Sequence, residues 1–505
     1  MKLLEKIRDH ARNHSEKTAY INQGQTLSYG HLWSRSDLLA SYILEIGKNK
    51  QAPVIVYGHM EPEMLVAFLG SVKSGHAYIP VDSSTPLNRV QQIIESSHAD
   101  ILLNVSDTDL TQVSGQIEVV TTADLKTVFS RRYAELSDET WVKDDENFYI
   151  IFTSGSTGNP KGVQISYSNL NSFVGWILSD FNIETNPIFL NQAPFSFDLS
   201  VMDLYPSLAS AGTLFAVEKS IFNQPKVLFE QITQSGLTIW VSTPSVAQMF
   251  CMDPAFNQNM LPNLTTFMFC GEALAAATAK ELRNRFPNAM IYNTYGPTEA
   301  TVAVTSILVQ NEMLESNQAL PVGKVKDDCR IYIVDSNGEP QNDGEQGEIV
   351  IAGESVSKGY IGEPGLTNRS FYEIDGSAAY KTGDAGFIKN NLLYCLGRMD
   401  YQIKLNGYRM ELEEVEHHIQ RSSYVKHAVV IPVKREDKIT HLMAAVVANE
   451  HHFDKDFELT KAIKKDVQQY LPDYMIPRVF KYVTSVPLTN NGKVNRKKIA
   501  DEMLS

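Results

Sequence analysis

The run Thr153-Ser154-Gly155-Ser156-Thr157-Gly158-Asn159-Pro160-Lys161-Gly162 concentrates glycines, hydroxyls and a lysine where an apolar segment ends. Gly155 and Gly158 permit backbone angles that turn successive N–H groups inward as an anion nest. Ser154, Ser156 and Thr157 add hydroxyl donors, and Lys161 adds charge. The chemistry this composition serves is phosphate binding, although a flexible Gly/Ser surface hairpin has the same ingredients. The spacing differs from a Walker A loop, since Lys161 stands between Pro160 and Gly162. Apolar residues at 148–152 predict a buried strand, and alternation resumes at 163–165, so the loop is expected to join two strands of a hairpin.

Three further segments carry chemistry. In Asn293-Thr-Tyr-Gly-Pro-Thr-Glu299, Tyr295 offers an aromatic face to a base and Glu299 a hard oxygen to Mg²⁺, while a turn closed by an acid accounts for the segment equally well. In Tyr380-Lys-Thr-Gly-Asp384, Asp384 can accept from both hydroxyls of a ribose, or simply close a turn. Asp198 lies among apolar residues, where a buried charge needs a partner: a cation, or the N–H groups of a helix start. A hydrolase elbow centred on Ser156 fails, because Ser154 occupies a required glycine position. His417 and His418 are adjacent rather than one helical turn apart, which disfavours a metal pair, and His451 and His452 read as solvated loop residues.

These positions need a scaffold larger than one core. A chain of 505 residues implies at least two domains. Hydrophobic residues at 43% and charged residues at 21% describe an ordinary soluble globular protein. The net charge of -14 argues against nucleic-acid binding, so an anionic substrate needs a local basic site. Four scattered cysteines without metal-ligand spacing suit reduced thiols in a cytosolic protein. Leu3, Leu4, Ile7 and Ala11 share a helical face, without the apolar core of a signal peptide. The apolar stretch 54–72 carries His59, Glu61 and Glu63, so it reads as a strand and a buried helix, and no membrane insertion is expected. Up to about residue 397, strand-like runs such as 237–242 alternate with helical ones such as 275–286, predicting α/β layers with parallel strands. Beyond Asp400 the pattern predicts a compact α+β unit. Leu412, Val415 and Ile419 face inward from a helix, strands fall near 429–433 and 443–447, and a helix near 459–471. The junction falls in 397–400.

In order along the chain, Leu27-Ser-Tyr29, 72–80, the phosphate loop, Phe197-Asp-Leu-Ser200, the Tyr295 to Glu299 segment, 347–353, 380–384, 397–404, 471–477 and 491–496 resemble the superfamily of adenylate-forming enzymes. Within it the chain is most similar to the adenylation domains that activate amino acids for carrier proteins, and the resemblance covers nearly its whole length. It implies the adenylate-forming enzyme fold: a large N-terminal domain of layered α/β subdomains at 1–399 and a small mobile α+β domain at 400–505, hinged near Asp400. ATP and Mg²⁺ would lie between them. By matching position, Thr153, Ser154, Gly155, Ser156, Thr157, Gly158 and Lys161 would hold the β and γ phosphates, and Thr298 would also contact the nucleotide. Tyr295 would stack on adenine and Asn293 would face its edge. Glu299 and Thr153 would hold the metal, Asp384 the ribose, and Arg398 the ribose or phosphates. The catalytic lysine falls on Lys493, touching both ATP and the acyl substrate. Its other reading is a solvated charge beside Arg496, Lys497 and Lys498.

The same resemblance makes Asp198 the partner of a substrate α-ammonium and builds the rest of the pocket from Leu199, Met202, Met268, Cys270, Thr294, Val302 and Ala303. Such walls leave room for alanine, glycine or serine, with Cys270 as a packing group. Handedness cannot be read from these side chains. The chain stops shortly after Lys493 without a carrier domain, and so resembles the free-standing cytoplasmic ligases that load D-alanine onto the phosphopantetheine thiol of a separate carrier protein for teichoic acid D-alanylation. The alternatives are a ligase for L-alanine, glycine or serine, an acyl-CoA ligase, and a nucleotide-sensing protein without catalysis. Two positions depart from the family pattern: Glu413, where glycine is common, and Asn495, where aspartate is frequent.

Overall fold

The computed structural model describes residues 2–49, 51–155, 158–315, 319–405, 407–435, 438–487 and 495–504. Unbroken apolar runs become strands covered on both faces. Val54–Gly58, Tyr78–Asp82 and Ile101–Asn104 are buried at every position, as interior strands of a parallel sheet must be. They sit in the middle of a six-stranded sheet. Asn147–Thr153 joins them in parallel and returns antiparallel as Lys161–Ser166, with Thr153 opposite Lys161. The predicted hairpin therefore forms, its two strands joined through the glycine-rich segment.

The helix Pro62–Lys73 starts with proline at its first position and is buried at every position but Glu63. Its final residue, Lys73, donates to Trp33 O (3.1 Å), Ser36 Oγ (2.8 Å) and Asp37 Oδ1 (2.8 Å). Burial lowers the Lys73 pKa to about 7, against the pull of Asp37. The unfolded chain keeps the higher ordinary value, so above about pH 7 the unfolded state binds more protons and stability rises with pH. Lys73→Met is expected to remove that slope, which parallel denaturant titrations at roughly pH 7 and pH 9 would read.

A second, nine-stranded sheet runs parallel through Thr18–Asn22, Thr213–Ala216, Ile188–Asn191, Ile239–Ser242, Thr266–Phe269 and Met290–Tyr295, with antiparallel strands at both edges. From Cys329–Val334 to Leu392–Arg398 the expected parallel alternation gives way to a wholly antiparallel sheet. Among the described residues this stretch contains one seven-residue helix, Pro364–Ser370. The connections 375–376 and 390–391 are too short for parallel crossovers, so the strands they join pair as hairpins.

After residue 400 the short hairpin Gln402–Leu405 with Tyr408–Glu411 leads into the helix Leu412–Gln420. A three-stranded sheet follows, made from Val425–Arg435, Lys438–Ala448 and Val479–Tyr482. Leu412, Val415 and Ile419 pack with Val430, Ala444 and Ile463 in a core drawn entirely from residues 403–475. Among the described residues, no helix is long and apolar enough to cross a membrane.

Candidate active site

A cavity of about 540 Å³ opens where the parallel strands of both large sheets end. Gln192 follows Ile188–Asn191, Thr243 follows Ile239–Ser242, Cys270 follows Thr266–Phe269, and Gly296 follows Met290–Tyr295; all line it. Ser84 and Ser154 reach it from the ends of strands in the other sheet. Open α/β sheets collect ligand sites here because the loops leaving carboxyl ends converge while the strands hold them rigid. Lys404, Tyr408 and Arg409 of the short hairpin close the cavity from the C-terminal side. Phe197, Tyr408 and Tyr474 form an aromatic wall across that seam, with Phe197 edge-on to Tyr408 at 4.6 Å and Tyr408 stacked on Tyr474 at 4.0 Å.

Asp198 stands immediately before the helix Leu199–Ala209 and lines the cavity, but its side chain does not cap that helix. It accepts instead from Thr298 Oγ1 at 2.6 Å. Burial raises its pKa, with the Thr298 bond and the charges of Lys404 and Arg409 pulling it back. The helix-start reading is thus replaced by a carboxylate short of partners, facing a cavity. Leu199, Cys270, Val302 and Thr298 share that wall. Burial also raises the Cys270 pKa, which keeps the thiol protonated and suits the expected packing role.

Glu299 is completely buried. It pairs with Arg409 Nη1 at 2.5 Å and Lys161 Nζ at 3.7 Å, and accepts from the Tyr360 hydroxyl at 2.7 Å. Burial alone would raise its pKa; the two cations and two donated hydrogen bonds outweigh it and hold the carboxyl well below the usual range. Lys161 lies 4.8 Å over the Tyr360 ring, and burial together with Arg409 lowers its pKa despite Glu299. Beside this cluster, Asp384 accepts from the Tyr295 hydroxyl at 2.6 Å and from Arg398 Nη1 at 3.4 Å. Arg398 also grips Asp400 through Nε at 2.9 Å and Nη2 at 2.5 Å, tying the expected junction residue to the ribose candidate.

Other expected positions sit behind the wall. Met202 and Met268 are fully buried in the core, and Thr294 spends its hydroxyl on Phe269 O at 2.8 Å. Tyr295 packs into the core with Ile349 and Tyr380. Asn293 donates to Pro321 O at 2.8 Å, while its buried Oδ1 has no partner among the described residues. Lys493, Ser156 and Thr157 lie outside the described residues. Sequence reasoning assigned no role to Arg409, Tyr360, Arg89 or Glu414. Arg409 and Glu414 lay in a charged stretch that was legible, but their partners are far away in sequence; Tyr360 carried no signal.

Residues 7–361 match the AMP-binding enzyme family and residues 414–493 match the AMP-binding enzyme C-terminal domain. The D-alanine--D-alanyl carrier protein ligase of Bacillus cytotoxicus is 53% identical over 504 residues, covering 100% of both chains. The ligase of the same description from Bacillus velezensis is 53% identical over 505 residues, again with 100% of both chains covered. Among solved structures, the Vibrio cholerae adenylation domain AlmE in complex with glycyl-adenosine-5'-phosphate superposes with a TM-score of 0.80 at 23% identity, covering 100% of this chain and 98% of that one. The o-succinylbenzoate CoA synthetase of Bacillus subtilis gives a TM-score of 0.83 at 20% identity, with 98% of each chain covered. At that identity they speak to the fold, which they share with this chain across both the large sheets and the C-terminal unit. On the family match and the full-length identities, the chain belongs to the AMP-binding enzyme family, alongside the D-alanine--D-alanyl carrier protein ligases of Bacillus.

Proposed function

We propose that this protein activates D-alanine with ATP and passes it to the phosphopantetheine thiol of a separate carrier protein, in the cytoplasm, for teichoic acid D-alanylation. The observation that carries this reading is Asp198: a half-buried carboxylate on the cavity wall, bonded by a single hydroxyl and unused by its own helix. A substrate ammonium supplies the missing charge, and an amino acid's carboxylate then points away from Asp198 toward the nucleotide. The full-length relatives bearing the ligase name supply the D-configuration and the carrier.

The donors present suit ATP. Arg398 on the cavity wall, with Lys161 and Gly155 N–H of the neighbouring loop, would offer positive groups to phosphates, and Asp384 would accept from ribose hydroxyls. Glu299 with the Thr153 hydroxyl would hold Mg²⁺, which is commonly bound by one or two carboxylates plus substrate phosphates; when bound it supplies positive charge to the phosphates. In the first step a carboxylate oxygen attacks the α-phosphorus and the bond to pyrophosphate breaks. In the second a thiol attacks the acyl carbon, the bond to AMP breaks and the thiol proton leaves. Lys493 would offset the repulsion between carboxylate and α-phosphate, and rotation about Asp400 would exchange Lys493 for the thiol path.

ATP-pyrophosphate exchange with D-alanine, L-alanine, glycine and D-serine tests reaction and stereochemistry together. D-alanine is expected to give the highest rate; exchange with none of them would refute adenylation. Lys493→Ala is expected to slow adenylation by about 100- to 1,000-fold while changing thioester formation from supplied D-alanyl adenylate far less. Equal losses in both steps would remove Lys493 from its role.

A further inference from the structure

The C-terminal unit touches the phosphate loop at several points, and one of them is a carboxylate. Glu414, fully buried near the start of the helix Leu412–Gln420, accepts from Gly155 N–H at 3.2 Å through Oε2 and pairs through Oε1 with Arg89 Nη1 at 2.6 Å. Arg89 is itself buried, on the helix Leu87–Ser97 of the large domain. Neighbouring contacts hold the same register. Glu411 N–H donates to Ser154 Oγ at 3.2 Å, that hydroxyl donates to Arg409 O at 3.3 Å, and His418 Nε2 meets the Gly158 carbonyl at 3.0 Å. The packing is close enough that a Cβ added at Gly158 would lie 2.5 Å from His417.

A backbone N–H in an anion nest recognises negative oxygen, and a carboxylate supplies it as a phosphate does. The geometry points to Glu414 as an internal anion that takes the place of a phosphate oxygen on Gly155, so that the docked C-terminal unit and a filled phosphate site exclude one another. This rests on the proposed reading of the loop as the β,γ-phosphate site. Gly155 has one N–H to give, and two anions at contact distance repel strongly where water is excluded. Pyrophosphate must therefore leave before Glu414 can enter. Its entry seats Arg409 on Glu299 and Tyr408 against Phe197, completing the wall seen here. Glu414 is a positioning residue for the second half-reaction, with Arg89 as its counter-ion.

The probe is inorganic pyrophosphate with Mg²⁺, titrated calorimetrically into the full-length parent, Glu414→Gln and Arg89→Met. A ligand that binds only the undocked arrangement has an apparent Kd inversely proportional to the fraction undocked, so both variants are expected to bind pyrophosphate about tenfold more tightly. Carrier loading from supplied D-alanyl adenylate is expected to fall in the same variants, in proportion to the docked fraction lost. A residue that merely supported the fold would not tighten pyrophosphate binding when replaced. Each unit has its own core, and thermal melts of both variants would verify folding; one folded variant suffices. Affinity that is unmoved or weakened in the folded variants would overturn the inference. The titration uses no amino acid, so failure of the parent to exchange pyrophosphate with D-alanine would overturn the functional reading instead.

Discussion

Asp198→Asn is expected to lower kcat/KM for D-alanine in pyrophosphate exchange by about two to three orders of magnitude, the range for removing one member of a buried charge pair. The amide keeps the shape and can still accept from Thr298, so what is lost is the charge facing the substrate ammonium. The same change should not cost stability. In the free protein the carboxylate is half-buried without a cation in contact, and neutralising it removes part of a desolvation penalty. The raised pKa gives the sign with pH. Between the unfolded carboxylate value and the raised folded one the folded state holds the extra proton, so stability falls as pH rises through that window. Activity runs the other way: KM for D-alanine should climb as acid protonates Asp198, starting at a higher pH than an ordinary carboxylate would show. A folded Asn variant with parental KM and kcat would separate Asp198 from the substrate.

Glu299→Gln should damage both half-reactions. Its carboxylate is shared by Arg409 from the C-terminal hairpin and Lys161 at the start of the strand Lys161–Ser166, with Tyr360 donating as well. Glutamine retains an acceptor for Tyr360 but leaves two partly buried cations without their anion; breaking a fully buried pair costs about 3–5 kcal/mol, an upper bound for each. Much of that cost falls on docking, because Arg409 can leave with its unit. Adenylation should fall by about 100- to 1,000-fold through loss of the charge that holds the metal against the phosphates, and carrier loading should fall through loss of the Arg409 seat. The depressed carboxyl pKa means that the pairing is complete above the ordinary carboxylate value and is lost only as pH falls through the much lower folded value. If carrier loading alone falls, Glu299 is a docking residue and not a metal ligand.

The phosphate-loop hairpin, the buried strand and helix of 54–72, and the inward face Leu412, Val415 and Ile419 were all legible because each depends on local periodicity and turn composition, which neighbours along the chain decide. Ordered motifs likewise announced the family. The antiparallel sheet of residues 329–398 was missed because apolar runs record burial and not strand direction; the short connections 375–376 and 390–391 decided it for the hairpins they close.

Which groups meet at the cavity was settled only by folding. Asp198 with Thr298, Glu299 with Arg409, and Arg89 with Glu414 are separated by 100, 110 and 325 positions. Sequence by itself supplied the functional groups and their families of use. Tertiary structure chose their partners, because Coulomb and hydrogen-bond energies fall off over ångströms in space and take no account of distance along the chain.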